Sequence, residues 1–183
     1  MIDDKSKRVI IAAADVFLRY GYARTTMGDI AKATGISRPA LYILFPGKEQ
    51  IFEAATMFLA KQRLEEIRSA VSSCQGLEAK LITAFEMLLV RVFELQQSAP
   101  DARDMDDLAF PVVRDIYAMF VDFFAKVIDD GDPRPLAPSS QIARGLLFGL
   151  RGLREVAQCA DDYSDMIGLH ISLVCTGGLG SRS

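Results

Sequence analysis

Apolar residues recur every three or four positions along most of the chain, which is the period of an amphipathic α-helix. The first such stretch runs from Lys5 to Tyr20 and is followed by Gly21, a residue that commonly ends helices. No stretch shows the alternating pattern of a β-strand. The pattern predicts an all-α fold of about nine helices. The later predicted helices cover about 48–72, 76–97, 111–128, 140–160 and 164–176, with a linker at 129–140 that we expect to be mobile.

Two short helices joined by a tight turn are predicted between Thr26 and Pro46-Gly47. Thr26 is a good N-cap, and Asp29 stands where it can complete a capping box. Gly35 fits the left-handed residue that ends the first helix. Ser37 then caps the second helix, and Pro39 lies in its first turn. This helix, glycine-containing turn and second helix predict a helix-turn-helix, the unit that places a recognition helix in the major groove of DNA.

The same stretch resembles the N-terminal domain of the TetR-type transcriptional regulators. The resemblance covers about the first quarter of the chain, whereas the remainder is similar only in length and helical character. It rests on Phe17, Gly21-Tyr22, Thr25-Thr26-Met27, Asp29-Ile30-Ala31, Gly35-Ile36-Ser37-Arg38, Leu41-Tyr42, Phe45-Pro46 and Lys48-Glu49. The resemblance implies a three-helix DNA-binding head at residues 1–47 and a larger helical ligand-binding and dimerisation body at 48–183.

By the same resemblance, Thr26, Tyr42 and Lys48 would contact DNA phosphates. An alternative remains for two of them, since Tyr42 could pack under the turn and Lys48 could be a solvated helix end. The residues that would face the bases are Ser37, Arg38, Pro39 and Ala40. Arg38 alone among these four could make a bidentate contact with guanine, and Pro39 and Ala40 could only press on a thymine methyl group.

Two features depart from what the family often shows. Gly28 has no side chain to reach a base, and Ile43-Leu44 replaces polar or aromatic residues that often hold the DNA backbone. We therefore expect few direct base contacts, with DNA shape carrying part of the specificity.

Charge is distributed unevenly along the chain. The net charge is −3 over 183 residues, yet residues 1–48 hold eight Lys or Arg against four Asp or Glu. Residues 49–183 hold thirteen against twenty. A basic head on an acidic body is the distribution expected when one end of the molecule contacts DNA.

Aromatic and aliphatic residues of the body could line a pocket for a small hydrophobic ligand, or they could be ordinary core. Arg91 could pair with an anionic ligand, although an Arg in such a position more often extends to the surface. The ligand-binding candidates are Met57, Phe58, Phe85, Leu88, Leu89, Arg91, Phe110, Val113, Tyr117 and Phe120.

Three glycines recur on one face of the predicted helix 140–160, which indicates the close approach of another helix. We expect a four-helix dimer interface, which the resemblance also implies, although packing within one chain is the alternative. The interface candidates are Gly145, Leu146, Gly149, Leu150, Gly152, Leu153, Ile167, Ile171 and Val174.

The chain carries few residues suited to catalysis or to metal binding. The single histidine, His170, lies among apolar residues, and there is no phosphate loop, metal-ligand motif or catalytic triad pattern. We therefore expect no enzyme activity, no cofactor and no metal. Cys74, Cys159 and Cys175 are far apart in sequence, which favours a reduced cytoplasmic protein, and a role in thiol sensing stays open. No leader sequence or membrane span is predicted.

Together these features predict a homodimeric regulator that binds a palindromic operator, acts as a repressor and is released by a small hydrophobic ligand. One alternative is a DNA-binding regulator without an inducer, controlled by a protein partner or by its abundance. A second is a helical interaction module in which the helix-turn-helix is only structural.

Overall fold

The computed structural model describes residues 3–131 and 137–179. In these ranges it contains nine α-helices and no strand, which confirms the predicted all-α class. The helices are α1 Asp4–Arg24, α2 Met27–Thr34, α3 Arg38–Leu44, α4 Lys48–Ser72, α5 Leu77–Phe85, α6 Arg91–Ser98, α7 Pro111–Gly131, α8 Ser139–Leu153 and α9 Ala160–Val174.

One compact unit comprises Met1–Gln62 and Leu95–Ile116. It contains the predicted head, the first part of α4, and the 3₁₀ helix Pro100–Asp106 that follows α6. Its core is formed by residues that follow the helical apolar pattern of each element. These include Val9, Ile10, Ala13, Phe17, Ile30, Leu41, Ile51, Phe52 and Ala55, each at most 4% exposed.

The second unit comprises Arg63–Glu94 and Tyr117–Ser183. In its core the rings of Phe85 and Phe124 are stacked with their centroids 3.9 Å apart. The buried Tyr163 hydroxyl donates a hydrogen bond to the Leu150 carbonyl at 2.9 Å, which joins α9 to α8. The assignment of separate functions to residues 1–47 and 48–183 stays a prediction.

The predicted fifth helix, Gly76 to Gln97, is interrupted. Glu86–Val90 forms a π-helical turn between α5 and α6, so one residue more than usual is accommodated in this turn. The Glu86 carboxylate of this turn accepts a hydrogen bond from the Ser164 hydroxyl of α9.

Two predicted ends in the second unit were wrong. The helix predicted to reach about residue 160 ends at Leu153. The N–H groups of Arg154, Glu155 and Val156 each bond to the carbonyl three residues earlier, which forms a tighter turn than that of an α-helix. The last helix begins at Ala160 rather than near Ser164. Its cap is the Cys159 sulfur, which accepts from the Asp162 N–H at 3.5 Å, and Cys is not a usual capping residue.

The predicted linker at 129–140 is only partly described. Asp129–Gly131 is the end of α7 and Ser139 begins α8, whereas residues 132–136 lie outside the described residues. The mobility that we expect of this linker stays a prediction.

Candidate nucleic-acid interface

The start of α2 has the predicted capping box. The Asp29 N–H donates to the Thr26 hydroxyl oxygen at 3.2 Å, and the Thr26 N–H donates to the Asp29 carboxylate at 2.9 Å. The Thr26 hydroxyl also donates to that carboxylate at 2.6 Å, and these bonds lower the pKa of Asp29 below its ordinary value. In this arrangement the hydroxyl proton points to Asp29. A phosphate contact from Thr26 therefore requires its hydroxyl to rotate, or relies on the N–H groups of the first turn of α2.

The turn between α2 and α3 also forms as predicted. Gly35 is left-handed, with φ 70° and ψ 17°, and its N–H is bonded to the end of α2. Ser37 caps α3 by accepting from the Ala40 N–H at 3.4 Å. The Ser37 side chain thus has a structural role besides the base contact predicted for it.

The recognition helix α3 is fixed by one buried residue and presents the others outward. Leu41 is completely buried, whereas Arg38 and Pro39 are exposed, Ala40 is half-buried and Tyr42 is 47% exposed. Arg38 forms no ion pair with any residue in the described ranges, so its guanidinium is available to a ligand outside the chain. Tyr42 does not pack under the turn.

Lys48 is the predicted DNA contact whose surroundings differ most from expectation. Its ammonium donates to the Tyr22 carbonyl at 2.7 Å and lies 4.1 Å from the centroid of the Tyr22 ring. The Lys48 side chain is half-buried and ties the start of α4 to the end of α1. An ammonium has three donors, so a phosphate contact is still possible with the remaining two.

Tyr22 itself lies in an aromatic cluster. Its ring centroid is 4.7 Å from that of Phe52 and 4.9 Å from that of Phe110, and Phe17 packs on Phe52 at 5.2 Å. Burial, followed by the charges of Glu49 and Glu53, raises the pKa of the Tyr22 phenol. The cluster joins α1, α4 and the segment before α7 within the first unit.

Sequence reasoning missed an anchor on the last turn of α1, which follows Gly21 and leads into α2. Two N–H groups, of Tyr22 and Ala23, donate to the carboxylate of Asp104 at 2.8 and 2.7 Å. Arg24 pairs with Asp101 at 2.6 Å on the surface. Asp104 therefore caps, from the 3₁₀ helix, the short turn that leads into Thr26. We call the contact of Asp101 and Asp104 with this turn the 3₁₀ anchor.

Gly21 makes the 3₁₀ anchor possible. It breaks the helical path of α1 with φ 72° and ψ 172°, a conformation essentially restricted to glycine. A Cβ atom at this position would lie 1.9 Å from the Asp101 carbonyl oxygen. Glycine is thus required both by backbone conformation and by close approach.

The residues predicted to bind a ligand are divided between the two units. Met57, Phe58, Phe110 and Val113 belong to the first unit, and the other six belong to the second. Phe85 is stacked on Phe124, and the Tyr117 hydroxyl accepts from the Arg151 guanidinium at 2.8 Å. Arg91 is exposed and pairs with Glu94 at 3.4 Å. A ligand-binding role for these residues stays a prediction.

The predicted dimer-interface residues include buried apolar side chains and exposed glycines. Leu146, Leu150, Ile167 and Ile171 are at most 8% exposed and pack inside the second unit. The three glycines, Gly145, Gly149 and Gly152, are exposed, and a Cβ atom on any of them would meet nothing within 4 Å. Packing among the residues that the structure describes therefore does not require these glycines.

A shallow groove runs beside the glycines. It has a volume of about 340 Å³, and its lining includes Gly145, Gly149, His170 and Val174. On α9, the residues that precede the groove-lining His170 and Val174 in sequence, Leu169 and Leu173, are 59% and 60% exposed. We call the glycines, this groove and the two leucines the α8–α9 face. The His170 side chain is exposed, with its Nδ1 2.9 Å from the Met166 carbonyl oxygen.

Two further features bear on chemistry. In residues 3–131 and 137–179 no group of three or more His, Cys, Asp or Glu side chains is placed to hold a metal ion. The three cysteines are free, and burial raises the pKa of the Cys175 thiol. Within the described part of the chain, no helix is long and apolar enough to cross a membrane.

Comparison with known proteins agrees with the head described above. Residues 9–55 match the family of bacterial regulatory proteins known as the tetR family. The HTH-type regulator YhgD of Bacillus subtilis is 29% identical over 68 residues, 37% of this chain and 36% of that protein. YfiR of the same organism is 24% identical over 189 residues, which cover 91% of this chain and 87% of YfiR.

Solved structures share the fold over nearly the whole chain. A transcriptional regulator from Cytophaga hutchinsonii covers 97% of the chain and matches over 100% of its own length, with a TM-score of 0.76 and 21% identity. FadR from Bacillus subtilis, solved in complex with stearoyl-CoA, covers 93% of this chain and 98% of its own, with a TM-score of 0.68 and 16% identity. AibR, solved with isovaleryl coenzyme A and operator DNA, covers 91% and 97%, with a TM-score of 0.57 and 19% identity. With its capping box, left-handed Gly35 and outward-facing recognition helix, the region 9–55 forms the helix-turn-helix domain of the tetR family of bacterial regulatory proteins, and the chain as a whole shares the fold of solved transcriptional regulators.

Proposed function

We propose that this protein is a homodimeric repressor that binds a palindromic operator and is released by a small hydrophobic ligand. The observation that carries the proposal is the geometry of α3. One buried residue, Leu41, fixes this short helix to the head, whereas Arg38 and Tyr42 are turned outward, and Arg38 forms no ion pair with any residue that the structure describes. A helix held in this way suits insertion into a major groove.

Arg38 and Tyr42 have separable roles in this proposal. The Arg38 guanidinium can donate two parallel hydrogen bonds to guanine, and this contact discriminates between bases by about 1 to 3 kcal/mol. The Tyr42 phenol can donate to a phosphate, which positions the helix without reading sequence. Thr26 and the two unused donors of Lys48 would add phosphate contacts on either side of α3.

The α8–α9 face supports a dimer. Three exposed glycines, whose Cβ positions no described residue approaches within 4 Å, allow the backbone of a second α8 to come close, and the exposed Leu169 and Leu173 would be covered at the same time. A two-fold axis through this face provides two recognition helices. Two half-sites are what a helix-turn-helix protein needs to reach useful specificity.

We infer that the inducer is an acyl-CoA or a similar molecule with an apolar chain. The support comes from AibR and FadR, which share the fold and were solved with isovaleryl and stearoyl thioesters of coenzyme A. In this chain the apolar candidates of the second unit are Phe85, Leu88, Leu89, Tyr117 and Phe120. Because Phe85 and Phe124 are stacked, an acyl chain would have to separate or displace these rings.

Helix α4 offers a route by which a ligand could act on the head. It is continuous from Lys48 to Ser72 and contributes residues to both units, with Phe52 in the aromatic cluster and Ile67 in the core of the second unit. Tilting α4 would change the separation of the two recognition helices from the roughly 34 Å of one DNA turn. Both helices could then no longer dock together.

The first experiment is selection of bound duplexes from a random library. Wild type is compared with Arg38→Ala/Tyr42→Ala, since both side chains are exposed and their loss should leave the fold intact. Lys126→Ala is the matched control, because Lys126 is an exposed cation on α7 in the second unit. We expect wild type and the control to recover a palindrome that the double variant does not retain.

Failure of wild type to enrich any sequence would contradict operator binding and favour a structural helix-turn-helix. Once an operator is known, its affinity is measured with and without isovaleryl-CoA and stearoyl-CoA. We expect at least one of them to weaken operator binding and to raise the melting temperature of the protein. Unchanged affinity with every acyl-CoA tested would favour the regulator controlled by a protein partner or by abundance.

A further inference from the structure

The outward face of α3 is apolar at its centre. In an α-helix, successive residues are about 100° apart, so the residues two positions before and after a buried residue point almost directly away from the core. Relative to the buried Leu41, these residues are Pro39 and Ile43. Ile43 is 84% exposed, more than any other large hydrophobic side chain in the described part of the chain.

The polar residues of α3 lie to one side of this centre. By the same angular arithmetic, Arg38 and Tyr42 fall about 60° and 100° from Leu41 on one flank, and Ala40 falls on the other. Pro39 and Ile43 therefore form a ridge on the outward surface of α3, and Arg38 and Tyr42 lie along one side of this ridge. We call Pro39 and Ile43 the apolar ridge.

The fold gives no reason for an isoleucine at position 43. The side chain is almost completely solvated, so it contributes little to the core, and β-branched residues are slightly unfavourable in helices. A polar residue would serve the helix equally well. An exposed aliphatic side chain at the centre of a recognition surface is better explained by what the surface contacts.

Major-groove base edges offer one kind of apolar group. Thymine carries a methyl group on C5, whereas the other edges present hydrogen-bond donors and acceptors. A methylated cytosine carries its methyl group on the same ring atom. We propose that Ile43 is a specificity-determining residue that reads a pyrimidine C5-methyl group, next to a guanine held by Arg38. This inference rests on the proposed function, because it requires α3 to enter the major groove.

The test compares duplexes that differ by one methyl group. In the operator recovered from the selection, each thymine is replaced in turn by deoxyuridine, and affinities are measured by competition. Burying one methyl group corresponds to about a fourfold change in affinity, and two symmetric half-sites to about fifteenfold. For one or more thymines, we expect affinity to fall about fourfold when the thymine is replaced in one half-site and about fifteenfold when it is replaced in both. At the same position, 5-methylcytosine should bind about fourfold more tightly than cytosine.

Two variants assign the effect to Ile43. Ile43→Ala should bind the thymine and deoxyuridine duplexes within about twofold of each other, because the partner of the methyl group is gone. Ile11→Ala makes the same chemical change at another exposed isoleucine of the first unit, 43% exposed on α1, and should keep the full preference. Since both side chains are exposed, thermal unfolding should show that both variants fold.

Two results would overturn the inference while leaving operator binding intact. One is equal affinity of wild type for thymine and deoxyuridine at every position. The other is an undiminished methyl preference in Ile43→Ala. If wild type binds no duplex at all, the proposed function fails and this inference fails with it.

Discussion

Replacing Gly21 with alanine is expected to be among the most destabilising single changes in the first unit. The conformation at Gly21, with φ 72° and ψ 172°, is nearly closed to other residues and costs a side chain about 1 to 3 kcal/mol. The new Cβ would also lie 1.9 Å from the Asp101 carbonyl oxygen and 2.8 Å from the Asp104 carboxylate, so the 3₁₀ anchor would have to move away.

Moving the anchor removes further stability. The N–H groups of Tyr22 and Ala23 would lose Asp104, and each such bond at a half-exposed site contributes about 1 kcal/mol. With the backbone term, the free energy of unfolding should fall by about 3 to 5 kcal/mol. For a chain of this size that corresponds to a melting temperature lower by about 6 to 20 °C.

Gly35→Ala provides the matched control. Gly35 also has a positive φ of 70°, but a Cβ atom there would meet nothing within 4 Å. Its cost is therefore the left-handed backbone alone, about 1 to 2 kcal/mol. Urea unfolding of both variants measures the difference, and addition of Asp104→Ala to Gly21→Ala should cost little more. Equal losses for Gly21→Ala and Gly35→Ala would refute the reasoning that the 3₁₀ anchor is in close contact with this turn.

Other substitutions test separate features. Thr26→Ala removes the acceptor of the α2 cap and should cost about 1 kcal/mol in urea unfolding, and no loss would mean that the cap does not contribute. Because hydrogen bonds from Thr26 lower the pKa of Asp29 in the folded state, its contribution is present above the ordinary value of 3.8 and disappears as the pH falls through the lowered pKa. The stability difference between wild type and Asp29→Asn should therefore shrink on acidification, and a constant difference would contradict the assignment. Thiol reagents should modify the exposed Cys159 first and the buried Cys175, whose pKa is raised, last, so Cys159→Ser should remove the fast phase. Gly149→Arg should keep the fold, because a Cβ atom there meets no described residue within 4 Å, yet convert the proposed dimer to a monomer in sedimentation, and a persistent dimer would locate the interface elsewhere.

The helix-turn-helix was predictable because its signals are local. The Thr26–Asp29 capping box, the left-handed Gly35 and the Ser37 cap each involve residues within a few positions of one another, and all three are present. The all-helical class followed from a periodicity that extends along the chain. Local chemistry and periodicity are properties that a single sequence contains.

Contacts between distant residues were not predictable in the same way. Asp104 bonds to N–H groups 81 and 82 residues before it, and no local pattern distinguishes it from its acidic neighbours. Phe110 was a candidate ligand residue, but nothing in its own segment indicated that it would pack on Tyr22 and Phe52. The start of α9 was misplaced because a cysteine serves as its cap. Tertiary packing decides each of these cases.

The 3₁₀ anchor also has a consequence for synthesis on the ribosome. The turn that leads into α2 obtains its acceptors from Asp104, which is translated about 80 residues later. At about 5 to 20 residues per second, Asp104 is translated roughly 4 to 16 s after Ala23. During this time the N–H groups of Tyr22 and Ala23 lack this acceptor. The turn that leads into α2 thus obtains its native acceptors only after the 3₁₀ helix Pro100–Asp106 has emerged.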